Sequence, residues 1–489
     1  MLEMNYITKG YEPEDALRYF EEISAIPRGS GNEGAVADYI CRFAEERGLT
    51  YHRDKVHNVI VKKPGSKGCE HLPALMLQGH TDMVCVKLPG SSHDFTKDPL
   101  QLEIKDGWLT AKDTTLGADD GMACAYMLAF LAKEDYVHPP LECVFTSMEE
   151  IGLLGAMEID ASLLTARRMI NMDGGASLEH ESMVSCAGGQ VYNFRRTPAW
   201  EKADGEAVRL TIDGLLGGHS AAVMHLGRGN GLKLMARILA AIAAKMPLSL
   251  ASFTGGAKMN AIVSEAKAVA VVPVGKAAEA MELAKNLAEE IKAELSVSDP
   301  GFRFACEWAQ ADQVMTAEDS RALITFLQLL PNGVRAMSQE MEGLVVCSSN
   351  VGILAMDGDT IDICDCIRSS EDSLKVEISA EMETLAGLLG FEPVKGICFG
   401  GWKYDPSSKL RALCDRRFQE MFGRKMEFGA THGGLECGEF KAKIPDLDIM
   451  CVAPACKEAH TPEESMDLAS FERIYNYLLA VFKDLCEEP

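Results

Sequence analysis

Five short segments of this sequence set histidines and carboxylates at spacings that could hold a cation. GHTDMV (79–84) places His80 two residues before Asp82. On a turn after a strand, an H-x-D imidazole can take a metal while the carboxylate holds its other ring nitrogen, which fixes tautomer and basicity. The plainer alternative is a surface turn. TTLGADDGMA (114–123) sets Asp119 and Asp120 between a glycine turn and a helix start. A helix N-cap accounts for one of these acids and leaves the other free for a metal. TSMEEIG (146–152) ends an apolar run with Glu149 and Glu150. One of that pair could ligate while its neighbour deprotonates water, the chemistry that hydrolysis at neutral pH requires. NMDGG (171–175) puts Asp173 at a strand end, where ordinary turn aspartates also sit. EAHTPEE (458–464) offers His460 in a polar loop, where exposed histidines are common.

Each segment alone has an ordinary explanation, but five ordinary explanations together are much harder to accept. One histidine and two carboxylates per ion is a common zinc hydrolase shell, and a shared Asp119 would give each of two cations three protein ligands with room for a water between them. Structural sites normally close with four protein ligands, so a spare glutamate beside a three-ligand shell favours catalysis over a non-catalytic, metal-stabilised assembly protein. No G-x-S-x-G elbow occurs, which argues against a serine hydrolase.

The elements that must position these residues read as a sheet flanked by helices. Residues 14–24 and 33–47 are helical by their apolar spacing, and strands are expected at 58–63, 73–79, 141–147 and 168–173, with 117–133 a loop feeding a buried helix. His80 and Asp82, then Glu149 and Glu150, then Asp173 each fall at the end of a strand candidate. Ligands gather beyond the carboxyl ends of strands in α/β sheets. After CAGGQ (186–190) the texture changes to strand-like alternation (AVRLTIDGL, AKAVAVVPV) interleaved with helices 227–245, 277–295 and 317–330. The expectation is an α/β protein in three segments: a first part at 1–187, a separate α/β domain at 188–395, and a last part at 396–489. That last part holds a helix at 409–422, a glycine-rich loop at 431–438, a strand at 447–453 and a helix at 468–486.

At 489 residues with 47% hydrophobic and 25% charged composition, two or three soluble globular domains are expected. The most apolar stretch, 232–250, is interrupted by Lys233, Arg237 and Lys245, so no membrane span is expected. A net charge of −25 argues against a nucleic-acid partner, and carboxylates are natural ligands for hard or borderline cations. The N-terminus lacks the basic start, apolar stretch and cleavage site of a secretory signal. The sixteen cysteines are scattered with no CxxC pair, which fits reduced core residues in a cytoplasmic protein.

With these motifs in place, the chain resembles the M20 metallopeptidase family, and within it the aminoacyl-histidine dipeptidase (PepD) type. The resemblance runs in order through GHTDMV, HDFTKDP (93–99), TTLGADDG, TSMEEIGLLGA (146–156), CAGG (186–189), GLLGGHS (214–220), PNGV (331–334), CIRSS (366–370), GLECG (434–438) and AHTPEE (459–464). It implies a zinc-peptidase-like catalytic domain with a mixed sheet flanked by helices, made from both chain ends, and an inserted α/β lid. It implies two divalent cations, zinc with cobalt or manganese as alternatives, one held by His80, Asp119 and Asp173 and the other by Asp119, Glu150 and His460. Asp82 would orient His80, and Glu149 would take the proton from a bridging hydroxide's parent water.

On the lid, the resemblance assigns His219 to the developing oxyanion, with Asn260 and Arg368 on the substrate carboxylate. Physically, a histidine donor suits growing negative charge and arginine grips a carboxylate through two parallel bonds. Turn capping, backbone bonding and a structural ion pair are the respective alternatives for these three. Aspartate at position 173 goes with dipeptidases in the wider family. The expected substrate is therefore a dipeptide with a free amino group, Xaa-His among them, and the alternative is a deacylase of N-acyl amino acids. A homodimer, with His219 acting across it, is left open.

Overall fold

The computed structural model describes residues 6–174 and 178–488. The chain divides into two compact units: Met1–Ser185, Trp402–Ala430 and Leu435–Pro489 form one, and Cys186–Gly401 with Thr431–Gly434 form the other.

In the first unit, the runs LMLQGH and LECVFT are buried at every position. A strand covered on both faces needs a nearly continuous apolar run, and these two become central neighbours in a six-stranded sheet. The spatial order is Thr50–Arg53, Val59–Lys63, Leu141–Thr146, Leu75–His80, Arg168–Asn171 and Asp448–Cys451. The last four run parallel, and the first two add an antiparallel edge, so the sheet is mixed. Helix Ala118–Ala132 is apolar on all sides and buried through most of its length. A helix with no polar face belongs in a core. It packs with Glu14–Ser24, Gly34–Glu46 and Leu468–Glu487 into one cluster containing Phe20, Phe130, Phe145, Phe471 and Phe482. At Gly79 a Cβ would lie 2.3 Å from the Ala123 Cβ and 2.4 Å from Asp120 Oδ2. Only glycine lets this helix approach the strand so closely.

The second unit is built on nine strands whose pairs are all antiparallel. Val208, Leu210 and Ile212 on one strand, and Ala266, Ala268, Ala270 and Val272 on the next, alternate with more exposed residues. This period of two turns one sheet face toward helices Gly231–Ala243, Ala277–Glu294, Ala317–Leu329 and Asp372–Leu389. The apolar spacing predicts helix from 227, but the helix begins at Gly231. Asn230 Oδ1 accepts the N–H groups of Leu232 and Lys233 and so sets the start. The segment 431–438, expected as loop, already turns helical at Glu436, the start of Glu436–Lys443. No helix among the described residues is long and apolar enough to cross a membrane.

Candidate metal centre

His80 is the last residue of its strand and 1% exposed. Its Nδ1 faces the Asp82 carbonyl oxygen at 3.1 Å and Asp82 Oδ1 at 3.5 Å. With the proton at Nδ1 donated to that carbonyl, Nε2 keeps its lone pair for a cation. Nε2 points at Asp119 Oδ1, 3.0 Å away. The other oxygen of the same carboxylate, Oδ2, lies 3.2 Å from His460 Nε2, and His460 Nε2 is in turn 2.8 Å from Glu150 Oε1. Asp119 therefore presents one oxygen to each of two imidazoles.

Asp119 reaches this position because the first turn of its helix is not helical. Asp119 (φ −77°, ψ 103°) and Asp120 (φ −119°, ψ 40°) both leave the helical region, and neither caps the helix. Asp120 Oδ2 instead accepts the His80 N–H at 3.2 Å, and burial holds its carboxyl well above the ordinary range. Asp82 has a second task besides His80. Its Oδ1 accepts the Glu149 N–H at 3.0 Å, its Oδ2 accepts the Glu150 N–H at 3.2 Å, and Ser30 Oγ donates to Oδ2 at 2.7 Å. Glu33 Oε1 takes the Met148 N–H at 3.0 Å. The Glu149–Glu150 turn is thus held from below by two buried carboxylates.

The electrostatics follow from many acids sharing little water. Burial raises the Glu149 carboxyl well above its ordinary value; His80 opposes this, while Asp173, Glu436 and Glu150 add to it. Asp173 is pushed up to about 7, by burial first and then by the charge of Asp119. His460 is raised to about 10 by its hydrogen bonds to Asp119 and Glu150. Burial works against charge on His80, but Asp119 and Asp82 outweigh it and hold its pKa well above the ordinary value. Asp119 is likewise desolvated, yet its bonds to His460 and His80 keep its carboxyl low.

His80, Asp119 and Glu150 offer ligand atoms that all lie within 4.8 Å of one another. Imidazole nitrogens and carboxylate oxygens without thiolates suit zinc and its borderline neighbours. A cation there would also relieve the mutual repulsion of the surrounding acids. The donor set fits a metal.

Sequence reasoning passed over several residues of this centre. Arg28, fully buried, donates from Nη1 to the carbonyls of Thr81 (3.1 Å) and Asp82 (3.2 Å), and from Nη2 to that of Gly117 (2.5 Å). Glu464 accepts three backbone N–H groups around Asp119. Glu436, pushed up to about 7 by burial, accepts from Gln78 and Thr146 beneath the strand ends. Glu464 and Glu436 lie inside motifs already singled out, AHTPEE and GLECG, so an acid within a ligand-bearing motif was the available signal. Nothing in the local sequence marks Arg28.

The remaining sequence-predicted residues lie in the second unit. His219 Nδ1 accepts the Ala221 N–H at 3.2 Å, so it caps a turn, and the ring proton sits on Nε2. That nitrogen lies 3.3 Å from Asn260 Nδ2, itself a donor, so the two groups are neighbours rather than hydrogen-bond partners. Burial and then Arg368 lower the His219 pKa, which keeps the ring neutral and Nε2–H a donor. Arg368, 8% exposed, donates from Nε to Ser220 Oγ at 3.4 Å. His219, Asn260 and Arg368 are thus linked through adjacent residues of one unit. His432 joins them, 2.7 Å from Ser348 Oγ, its pKa lowered to about 4 by burial and by Arg368.

A mixed sheet flanked by helices, with two imidazoles facing one carboxylate near the carboxyl ends of its parallel strands, defines the class: a metal-dependent hydrolase. Residues 76–484 match Peptidase family M20/M25/M40, and the chain belongs to that family. It is 35% identical over 478 residues to the cytosol non-specific dipeptidase of Escherichia coli, spanning 97% of this chain and 98% of that protein. Among solved structures it is similar to the aminoacylhistidine dipeptidase of Vibrio alginolyticus, with TM-score 0.90, 34% identity and 99% of each chain covered. The aminopeptidase PepT of Bacillus cereus shares the fold, with TM-score 0.55, 16% identity, and 97% of this chain and 99% of that chain covered.

Proposed function

We propose that this protein is a cytosolic dipeptidase that uses two divalent cations, zinc by preference, to hydrolyse dipeptides with a free amino group, Xaa-His among them. The observation that carries this is the Asp119 carboxylate facing His80 with one oxygen and His460 with the other. The names borne by the two relatives of about one-third identity support the substrate class and the compartment.

In this reading His80, Asp119 and Asp173 hold one cation and Asp119, Glu150 and His460 the other. The pair supplies Lewis acidity, which activates water and polarises the scissile carbonyl. Glu149 takes the proton from the attacking water and passes it to the leaving amine; its raised pKa suits a group that must both accept and release a proton near neutral pH. His219 donates from Nε2 to the oxyanion, and Arg368 with Asn260 receives the substrate carboxylate. The first unit serves as the catalytic body and the second as the lid.

Metal content by elemental analysis, together with hydrolysis of Xaa-His dipeptides and of N-acyl amino acids before and after chelation, tests the proposal. Two equivalents of metal and chelator-sensitive dipeptide cleavage are expected. A preference for blocked amines would instead make the protein a deacylase.

A further inference from the structure

Glu464 sits four residues beyond His460 and is 2% exposed, and its carboxylate is spent entirely on the loop that carries Asp119. Oε2 accepts the N–H groups of Leu116 and Gly117, each at 2.9 Å, and Oε1 accepts the N–H of Asp119 itself at 3.3 Å. A carboxylate that receives three backbone donors fixes the path of that backbone. Gly117 needs such fixing: it is left-handed (φ +66°), and its carbonyl is taken from the other side by Arg28, which also holds the carbonyls of Thr81 and Asp82. A Cβ at Gly117 would lie 2.6 Å from Arg28 Nη2. One turn is therefore gripped at its N–H groups by an acid and at its carbonyl by a base.

At its other end Glu464 closes the loop that presents His460. The Glu464 N–H donates to the Thr461 carbonyl at 3.1 Å, and Thr461 returns to the Glu458 carbonyl through its N–H (3.2 Å) and its hydroxyl (2.8 Å). Within that turn Glu458 (φ 50°) and His460 (φ 66°) are both left-handed. Residues with a side chain hold that conformation only where their surroundings impose it. Directly after Glu464, strand Ser465–Asp467 pairs with Trp108–Ala111, the strand that leads into the Asp119 loop.

We infer, on the dipeptidase reading above, that Glu464 is a positioning residue that locks the Asp119 loop to the His460 loop and so sets the distance between two ligands of the same cation. It touches neither substrate nor reacting atoms. Its effect falls hardest on the cation held by Asp119, Glu150 and His460, because there it places two ligands, and less on the cation held by His80, Asp119 and Asp173, where it places one.

The test is stepwise binding of zinc to the full-length metal-free protein, read by chelator competition, in Glu464→Gln, Glu464→Asp and Glu142→Gln. Glutamine keeps the shape but turns an amide N–H₂ toward backbone donors; aspartate keeps the charge with a shorter reach. Glu142 provides the control: it is a buried carboxylate of the same unit that accepts the N–H groups of Thr165 and Ala166, at the far end of its strand from Thr146. One of the two equivalents of zinc should weaken about 10- to 100-fold in Glu464→Gln, less in Glu464→Asp, and stay near wild type in Glu142→Gln, with the other equivalent changed less in every case. If Glu464→Gln does not fold, selective weakening in Glu464→Asp supports the inference in its place. Both equivalents bound as tightly as in wild type, or an equal loss in Glu142→Gln, overturns the inference. His460→Ala distinguishes the underlying reading: should that variant still bind two equivalents as wild type does, the ligand assignment itself is wrong, and the role of Glu464 falls with it.

Discussion

The backbone N–H of Glu149 donates to Asp82 Oδ1 at 3.0 Å, so the acid beside the His80 imidazole also fixes the turn that carries the proposed general base. Asp82→Asn would set an amide N–H₂ against a backbone donor on one side. Metal affinity is expected to fall about 10- to 100-fold, with a larger fall in turnover at saturating metal because Glu149 moves as well. Chelator competition and kcat at saturating zinc separate the two effects; an unchanged kcat would confine Asp82 to His80.

Glu149→Gln keeps the size of the side chain and removes its basicity. Turnover should drop about 10²- to 10⁴-fold while two equivalents of metal stay bound, since no ligand is altered. Full activity in this variant would reassign the base.

The metal-free protein should lose stability as pH rises, and bound metal should cancel that loss. His460 has a folded pKa of about 10 against an ordinary 6.5, so its contribution is complete below about pH 6.5 and is lost as pH climbs toward 10. Asp173 has a folded value of about 7 against 3.8, so ionising it in the fold disfavours the native state progressively between about pH 4 and 7. On the proposed ligand set, metal requires both groups deprotonated, and its binding therefore strengthens over the same range. The gap in Tm between metal-loaded and metal-free protein should widen from pH 6 to pH 9. A ligand at one hundred times its Kd stabilises by about 2.7 kcal/mol. A gap that narrowed with pH would contradict these proton assignments.

Arg368→Ala tests the carboxylate partner. Loss of a charged hydrogen-bond pair costs about 2 kcal/mol, roughly 30-fold in kcat/KM. The loss should appear with free dipeptides and largely disappear with C-terminally amidated ones. An equal loss on both substrates would make Arg368 a structural residue.

Much of the sheet was legible because strands covered on both faces leave an unmistakable apolar run. LMLQGH and LECVFT lie within two residues of the expected 73–79 and 141–147, and the acids that follow them are found at the strand ends. Asp119 was legible only as one of a pair. Which of two adjacent aspartates caps a helix is a local question, and in the structure neither does, because Asp120 is drawn to the His80 N–H across the sheet. Arg28 and Glu464 were hidden for a related reason: their partners are main-chain groups of distant loops, which leave no pattern in side-chain types. His432 lay inside an expected glycine-rich loop, and only the tertiary fold brings it to Ser348.

Strand Asp448–Cys451 completes the first unit's sheet by pairing in parallel with Arg168–Asn171, and the whole second unit is translated between the two. On the ribosome, Arg168–Asn171 must wait with an open hydrogen-bonding edge, an invitation to aggregate, until the segment that follows the second unit arrives. His460 emerges later still. The nascent protein therefore holds a cluster of acids with His80 alone among them, and His460 joins Asp119 and Glu150 only after the whole second unit has been made.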